Sequence, residues 1–373
     1  ATAPGLGPRF LLSLGARRLE WWWLRVEEAV ELLRELCTRH APPGGEEEVA
    51  GVLAKFLEGY CDSVELDLMG NLLVRIGKGG PRVMLAAHMD EVAMMVRWID
   101  ANGFLIFTPL GGLDPRVLVG QRVVVHSEKG PLDGYIGAKP PHVTGPEEAR
   151  RAPEVRELYI DIGASSREEA VAAGVRVGTY ATFPPSFARL LGTRVMGKAF
   201  DDRAGCAVAA LAAREASRMG LGLEVYAAFT VQEEVGLRGA STAVNAISPS
   251  YAIVLEGTVA ADTPGVPESE AVTRLGAGPA VRVLDSSMIT GREVLRLLEE
   301  AAARAGVPYQ LQIVPGSATD AGRIHLHGRG VATGVVGVPC RYLHSPNLVL
   351  DLRDLEAAVR LTAEALRLLS ERG

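Results

Sequence analysis

LEVYAAFTVQEEVGLRG, residues 223–239, joins an apolar run to two adjacent carboxylates. Residues 223–230 read as a buried strand, and the chain leaves it to present Glu233 and Glu234 in front of Gly236. Neighbours on an extended chain point in opposite directions. The pair therefore serves one site only if its members have different tasks or if the chain turns, and Gly236 is the residue that would permit a turn. The plain alternative is a solvated strand end, since charged residues are mostly exposed.

The surroundings of this strand decide the fold class. Upstream, VMLAA (residues 83–87) is a short continuous apolar run, which suits a strand covered on both faces. Downstream, YAIVL, AVRVL, QLQIV and VATGVVGV alternate with helical spacings at 292–305 and 355–370, and a helix is predicted over 203–219. Further helical spacing runs from Val26 to Cys37 and from Val49 to Leu57. The class is α/β, with a mostly parallel mixed sheet flanked by helices. Between Trp98 and Pro185 the character changes to short strands broken by Gly and Pro, with one helix predicted at 166–173 from a Ser166/Glu169 capping box and a Gly174 stop. This is a small β-rich domain, residues 97–187, inserted into a discontinuous domain made of 1–96 and 188–373. Its Asp114, Asp133 and His142 read as loop and turn residues beside Gly and Pro.

The composition removes several function classes. A chain of 373 residues, 48% hydrophobic, can bury a large core, and its net charge of −6 speaks against a nucleic-acid partner. No apolar run is long enough to cross a bilayer. Cys37, Cys61, Cys206 and Cys340 are scattered without a CxxC pair, so they read as free thiols of a reducing cytoplasm. RFLLSLGARRLEWWWLRVEE, near the start, lacks the long apolar stretch of a signal peptide. Trp21, Trp22 and Trp23 cannot all face one core from one helix; at least one meets another subunit or covers a nearby loop.

In open α/β sheets, ligands bind outside the carboxyl ends of the strands. Polar residues at those ends are His88 with Asp90, Glu233 with Glu234, Glu256 and His344, while Asp201 and Asp202 precede a helix. Each alone has an ordinary explanation: a hydrogen-bonded histidine, a helix N-cap, a surface acid. Their coincidence at strand ends points to a metal site, and imidazole with carboxylate suits zinc or cobalt. The adjacent glutamates then divide the work. One binds metal; the other, held off it, takes a proton from a water whose pKa the metal lowers toward ~7.

AAHMDEVAMMV (86–96), GKAFDDRAG (197–205), VQEEVGLRGA (231–240), VLEGTVAADTPG (254–265), TDAG (319–322) and RYLHSP (341–346), in this order, resemble the M42 family of metallo-aminopeptidases. These are the tetrahedral aminopeptidases, with relatives labelled endoglucanase or FrvX-like. DPRVLVGQRV, GYIGAKPPH and LYIDIGASSREEA extend the likeness into the insertion. The resemblance implies a zinc-exopeptidase-like fold and two divalent ions per subunit, zinc or cobalt. It implies His88 and Glu256 on one ion, Glu234 and His344 on the other, and Asp201 bridging. Glu233 would be the general base and Asp90 would hold the His88 imidazole in its tautomer. The substrate's free α-amine would sit on one metal. Short peptides would be trimmed from the N-terminus, and the insertion would pair subunits into dimers, six of which close a hollow dodecamer. Two departures stand out: Glu256 occupies a position often held by Asp, and GSATDAG (316–322) has fewer glycines than the family pattern. Thr319 and Asp320 there either touch substrate or, for Asp320, cap the next helix. Asp202 reads as structural. A metal-free glycosidase is the rival enzyme class, against which the histidines among the acids argue. A non-catalytic metal-bound scaffold is the other rival, against which an intact Glu233 argues.

Overall fold

The computed structural model describes residues 27–143, 145 and 150–372. The tryptophan triplet lies outside the described residues. Helices α1 (27–37) and α2 (Glu47–Leu57) precede strands β1 (Ser63–Leu66), β2 (Leu72–Ile76) and β3 (Arg82–His88). Then come β4 (Ala93–Ile99), β5 (Leu105–Leu110), β6 (Arg122–Ser127), β7 (Gly130–Gly137), β8 (Tyr159–Asp161), α3 (Arg167–Ala172) and β9 (Tyr180–Thr182). The α/β alternation resumes with β10 (Phe187–Arg189), β11 (Arg194–Gly197), α4 (Phe200–Met219), β12 (Glu224–Thr230), α5 (Arg238–Ile247) and β13 (Tyr251–Val259). It ends with β14 (Ala280–Asp285), α6 (Arg292–Ala305), β15 (Gln310–Val314), α7 (Ala321–Ile324), β16 (Ala332–Arg341), β17 (Leu348–Asp351) and α8 (Leu352–Arg372).

Eleven strands form one mixed sheet in the order β1-β2-β12-β3-β13-β16-β17-β11-β10, with β14 and β15 joined beside β16. Its centre, β12-β3-β13-β16, is parallel. The outer pairings are antiparallel, apart from β14 with β15. The expectation of a mostly parallel sheet therefore holds only for the centre. Short connections such as 67–71 and 190–193 can join only antiparallel neighbours, because a parallel pair needs a crossover. One face is covered by α1, α2, α4, α6 and α8, the other by α5 and α7. Helix α4 is alanine-rich and buried nearly all round, which lets it lie close to the sheet; each large side chain buried against it contributes ~1.5–3 kcal/mol.

The insertion is a closed six-stranded barrel, β4-β5-β8-β7-β6-β9, with its own core around Phe107, Val125, Ile136 and Ile160. Its first strand starts at Ala93, five residues beyond the end of β3. Ser166 caps α3 by accepting a hydrogen bond from Glu169 N at 3.2 Å, as the capping pattern requires. Among the described residues no helix is long and apolar enough to cross a membrane. The four cysteines are free, and Cys37, Cys206 and Cys340 are buried.

Candidate metal centre

The parallel register places the candidate residues at one level of the sheet. His88 ends β3 opposite Thr230 of β12, and the chain beyond Thr230 carries Glu233 and Glu234. Val254 pairs with Ala86, so Glu256, two residues on, comes level with His88. Glu256 is not at a strand end as the sequence suggests; β13 runs on to Val259, paired with β16 throughout. His344 follows the end of β16 in a loop with positive φ at Tyr342 and His344. Asp201 reaches the same place from the start of α4, where 201 and 202 depart from helical dihedrals. Gly257 makes this approach possible: a Cβ there would come within 2.8 Å of the Asp201 Cα.

Two triads result, sharing Asp201. His88, Asp201 and Glu256 form one, Asp201, Glu234 and His344 the other, with the donor atoms of each lying within 4.8 Å of one another. His88 Nε2 is 3.3 Å from Asp201 Oδ1 and 3.5 Å from Glu256 Oε1. His344 Nε2 is 3.4 Å from Asp201 Oδ2 and 3.5 Å from Glu234 Oε1. Donor atoms ~2.1 Å from a common tetrahedral ion lie about 3.4 Å apart. The separations therefore match shared coordination. Asp201 Oδ1 and Glu256 Oε2 are buried without a hydrogen-bond partner. Such atoms are costly unless something else satisfies them. The residues fit a pair of divalent ions in both donor chemistry and spacing.

Electrostatics agree. Burial pushes the Glu234 carboxyl up to about 8 and raises Glu256, and it raises Glu233 well above the ordinary carboxylate range. Asp201 goes the other way: burial opposes its charge, but the His344 and His88 imidazoles beside it outweigh that and hold it below its usual value. Burial works against protonating His344, yet the Asp201 and Glu234 carboxylates bring it to about 9. Four carboxylates thus crowd two imidazoles, a balance of charge that divalent cations would offset.

Glu233 stands apart from both triads, with Oε2 3.9 Å from His88 Nε2. The turn that aims both glutamates inward begins at Gln232, whose φ is +56°, rather than at Gly236. Asp90 clamps that turn: its Oδ1 accepts from Glu233 N and its Oδ2 from Glu234 N, each at 3.0 Å. His88 Nδ1 accordingly meets the main-chain carbonyl of Asp90 at 3.1 Å, with the carboxylate further away at 3.4 Å. Asp202, at the kink in the first turn of α4, accepts hydrogen bonds from Gly205 N and from His88 N, which ties together the segments that carry Asp201 and His88. Asp320 makes no side-chain cap; its Oδ2 accepts from Thr230 Oγ1 at 2.5 Å. Asp320 Oδ1 and Thr319 Oγ1 are buried and unpartnered.

Sequence reasoning missed a buried ion cluster behind the site. Glu91, next to Asp90, receives Lys198 Nζ at 2.5 and 2.7 Å, and Arg203 Nη2 lies 3.4 Å away. Lys198 and Arg203 are fully buried. Burial would raise the Glu91 carboxyl, but the two cations hold it below its ordinary value. The cluster joins the His88–Asp90 segment to the loop entering Asp201. Replacing Lys198 by methionine takes the nearer of two cations from the buried Glu91 carboxylate and leaves it Arg203 alone, at 3.4 Å; it should cost up to about 3–5 kcal/mol, the scale for removing one partner of a buried pair. Urea unfolding of the metal-free protein is the measurement.

Comparison with known proteins shows the family. Residues 70–361 match the M42 glutamyl aminopeptidase family. A putative aminopeptidase of Acetivibrio thermocellus is 40% identical over 92% of this chain and 100% of its own length. The crystal structure of a TET aminopeptidase from a marine sediment Thaumarchaeota archaeon superposes with a TM-score of 0.88 at 40% identity, covering 93% of this chain and 97% of that one. A Pyrococcus horikoshii TET1 peptidase, which can assemble into a tetrahedron or a large octahedral shell, matches at TM-score 0.81 and 35% identity over 90% and 98% of the two chains. The family match spans most of the chain and includes every residue of both triads: this chain belongs to the M42 peptidase family.

Proposed function

We propose that this chain is a binuclear metallo-aminopeptidase that removes N-terminal residues from short peptides. The observation that carries the reading is the meeting of two ligand triads at Asp201 with a fifth acid, Glu233, held beside them. His88 and Glu256 would hold one divalent ion, Glu234 and His344 the other, and Asp201 both, with zinc or cobalt suited to the donors. Bound there, the ions supply Lewis acidity toward water and the scissile carbonyl. Glu233 accepts the proton of the attacking water and returns it to the leaving amine; burial raises its proton affinity above that of an ordinary carboxylate, which favours taking that proton. Asp90 fixes the two glutamates in their separate directions. Thr319 and Asp320, with unsatisfied buried oxygens, are the proposed substrate contacts.

The barrel is read as a dimerisation domain of a dodecamer; a solved relative, PhTET1-12s, is a dodecamer in its crystal. Half-exposed Trp98 and Tyr135 offer it contact surface. Four free thiols favour a cytoplasmic setting. The test is turnover of an aminoacyl-anilide panel before and after chelation. Activity that is lost to the chelator and restored by added zinc or cobalt is expected; activity that persists without metal overturns the reading. Light scattering should give a particle of twelve copies, and a monomer overturns the assembly.

A further inference from the structure

From the geometry we infer that the inserted barrel positions a metal ligand: its Gly111–Gly112 segment fixes the orientation of His344. The inference rests on the reading of His344 as a ligand. His344 Nδ1 lies 3.1 Å from the main-chain carbonyl of Gly112, 232 residues away in sequence. A ring that donates Nδ1–H to a carbonyl presents the Nε2 lone pair on its other side, which is the tautomer a metal requires. Nε2 is the atom that faces Asp201 and Glu234. His344 also has the more open surroundings of the two histidines: its side chain is 35% exposed, against 1% for His88. It therefore depends more on a specific partner for its orientation.

The barrel is built to deliver that carbonyl. Ala93 of β4 pairs with Leu110 of β5, so the segment leaving Asp90 runs alongside the segment entering Gly111. Leu113, the next residue after Gly112, is anchored in the barrel core together with Val92. Both glycines are needed for the fit. Gly111 has φ +88°, and a Cβ on it would come within 2.8 Å of Glu234 Oε2 and of Val92 Cγ1. Gly112 has no positive φ, and a Cβ there would meet one side chain alone, the His344 ring, at 2.9 Å from Nδ1. Gly112→Ala therefore displaces His344 without straining its own backbone.

The experiment is zinc titration of Gly112→Ala by calorimetry, with the visible spectrum of the cobalt-loaded protein recorded in parallel. His344→Ala serves as a reference, and Gly130→Ala, at a barrel turn with φ +121° and open space around it, is the control for barrel strain. Gly112→Ala should weaken one of two sites by ~10–100-fold, the scale for loss of a ligand's outer partner. The other site, the cobalt spectrum of that site, and barrel folding by circular dichroism should match the wild type. Equal weakening of both sites, or wild-type affinity at both, overturns the inference. If His344→Ala keeps both ions at wild-type affinity, the ligand assignment itself fails. If it loses one while Gly112→Ala loses none, only the positioning role fails.

Discussion

Replacing Glu233 by glutamine should reduce turnover ~10²–10⁴-fold, the range for a missing general base, while both ions stay bound. Glutamine keeps the shape of the side chain and leaves the main-chain hydrogen bond to Asp90 in place. It removes only the capacity to take a proton. The triads are complete without this residue, and its carboxylate stands at 3.9 Å from His88 Nε2 where the other acids lie at 3.3–3.5 Å. Metal content should thus be unchanged, and KM should move far less than kcat. Near-normal turnover would place the base elsewhere. Loss of an ion would move Glu233 into the ligand set and undo the division of labour between the adjacent glutamates.

What could be read in advance follows from how locally each feature is encoded. Helix spacing gave 292–305 as it stands in α6, because a helix is a contact pattern within one segment. The residues that cluster in the two triads could be picked out for a related reason: parallel strands bring their carboxyl ends to one level, so acids and imidazoles just after apolar runs accumulate there. The extent of β13 past Glu256 was not legible, since it depends on the length of β16 beside it. Nor was the antiparallel character of the outer sheet, which is set by short connections and not by the strands' own composition.

The supports of the site were hidden more deeply. Lys198 and Glu91 are 107 residues apart, and neither position shows in isolation that the other will be buried against it. Gly112 contributes a main-chain carbonyl, which every residue possesses, so no residue type could announce it. In sequence the pair Gly111–Gly112 is indistinguishable from the punctuation between two short strands. Its purpose appears only where a Cβ would collide with His344. Likewise the Asp90 carboxylate serves two main-chain N–H groups, while its own carbonyl serves His88. Residue type pointed to the right neighbourhood and could not allocate the atoms.

Asp201→Ala should remove both ions, and with them more activity than any other single ligand change. Its two oxygens face different histidines, Oδ1 toward His88 at 3.3 Å and Oδ2 toward His344 at 3.4 Å. His344→Ala, by contrast, should empty one site. Stability supplies a second readout. The Asp201 carboxyl is held below its ordinary value by the two imidazoles, once burial has been overcome, so the ionised group already stabilises the metal-free fold. For a depressed carboxyl that contribution is present above the unfolded value of ~3.9 and fades as pH falls toward the folded one. The metal-free variant therefore starts less stable than the metal-free wild type at neutral pH, and the gap closes in acid. Added zinc should raise the melting temperature of the wild type, because an ion bound only by the folded chain stabilises it by mass action. In Asp201→Ala that increment should vanish, while in Glu233→Gln it should remain. A variant lacking Asp201 that still gains the full increment from zinc would mean that the two triads do not share a bridge.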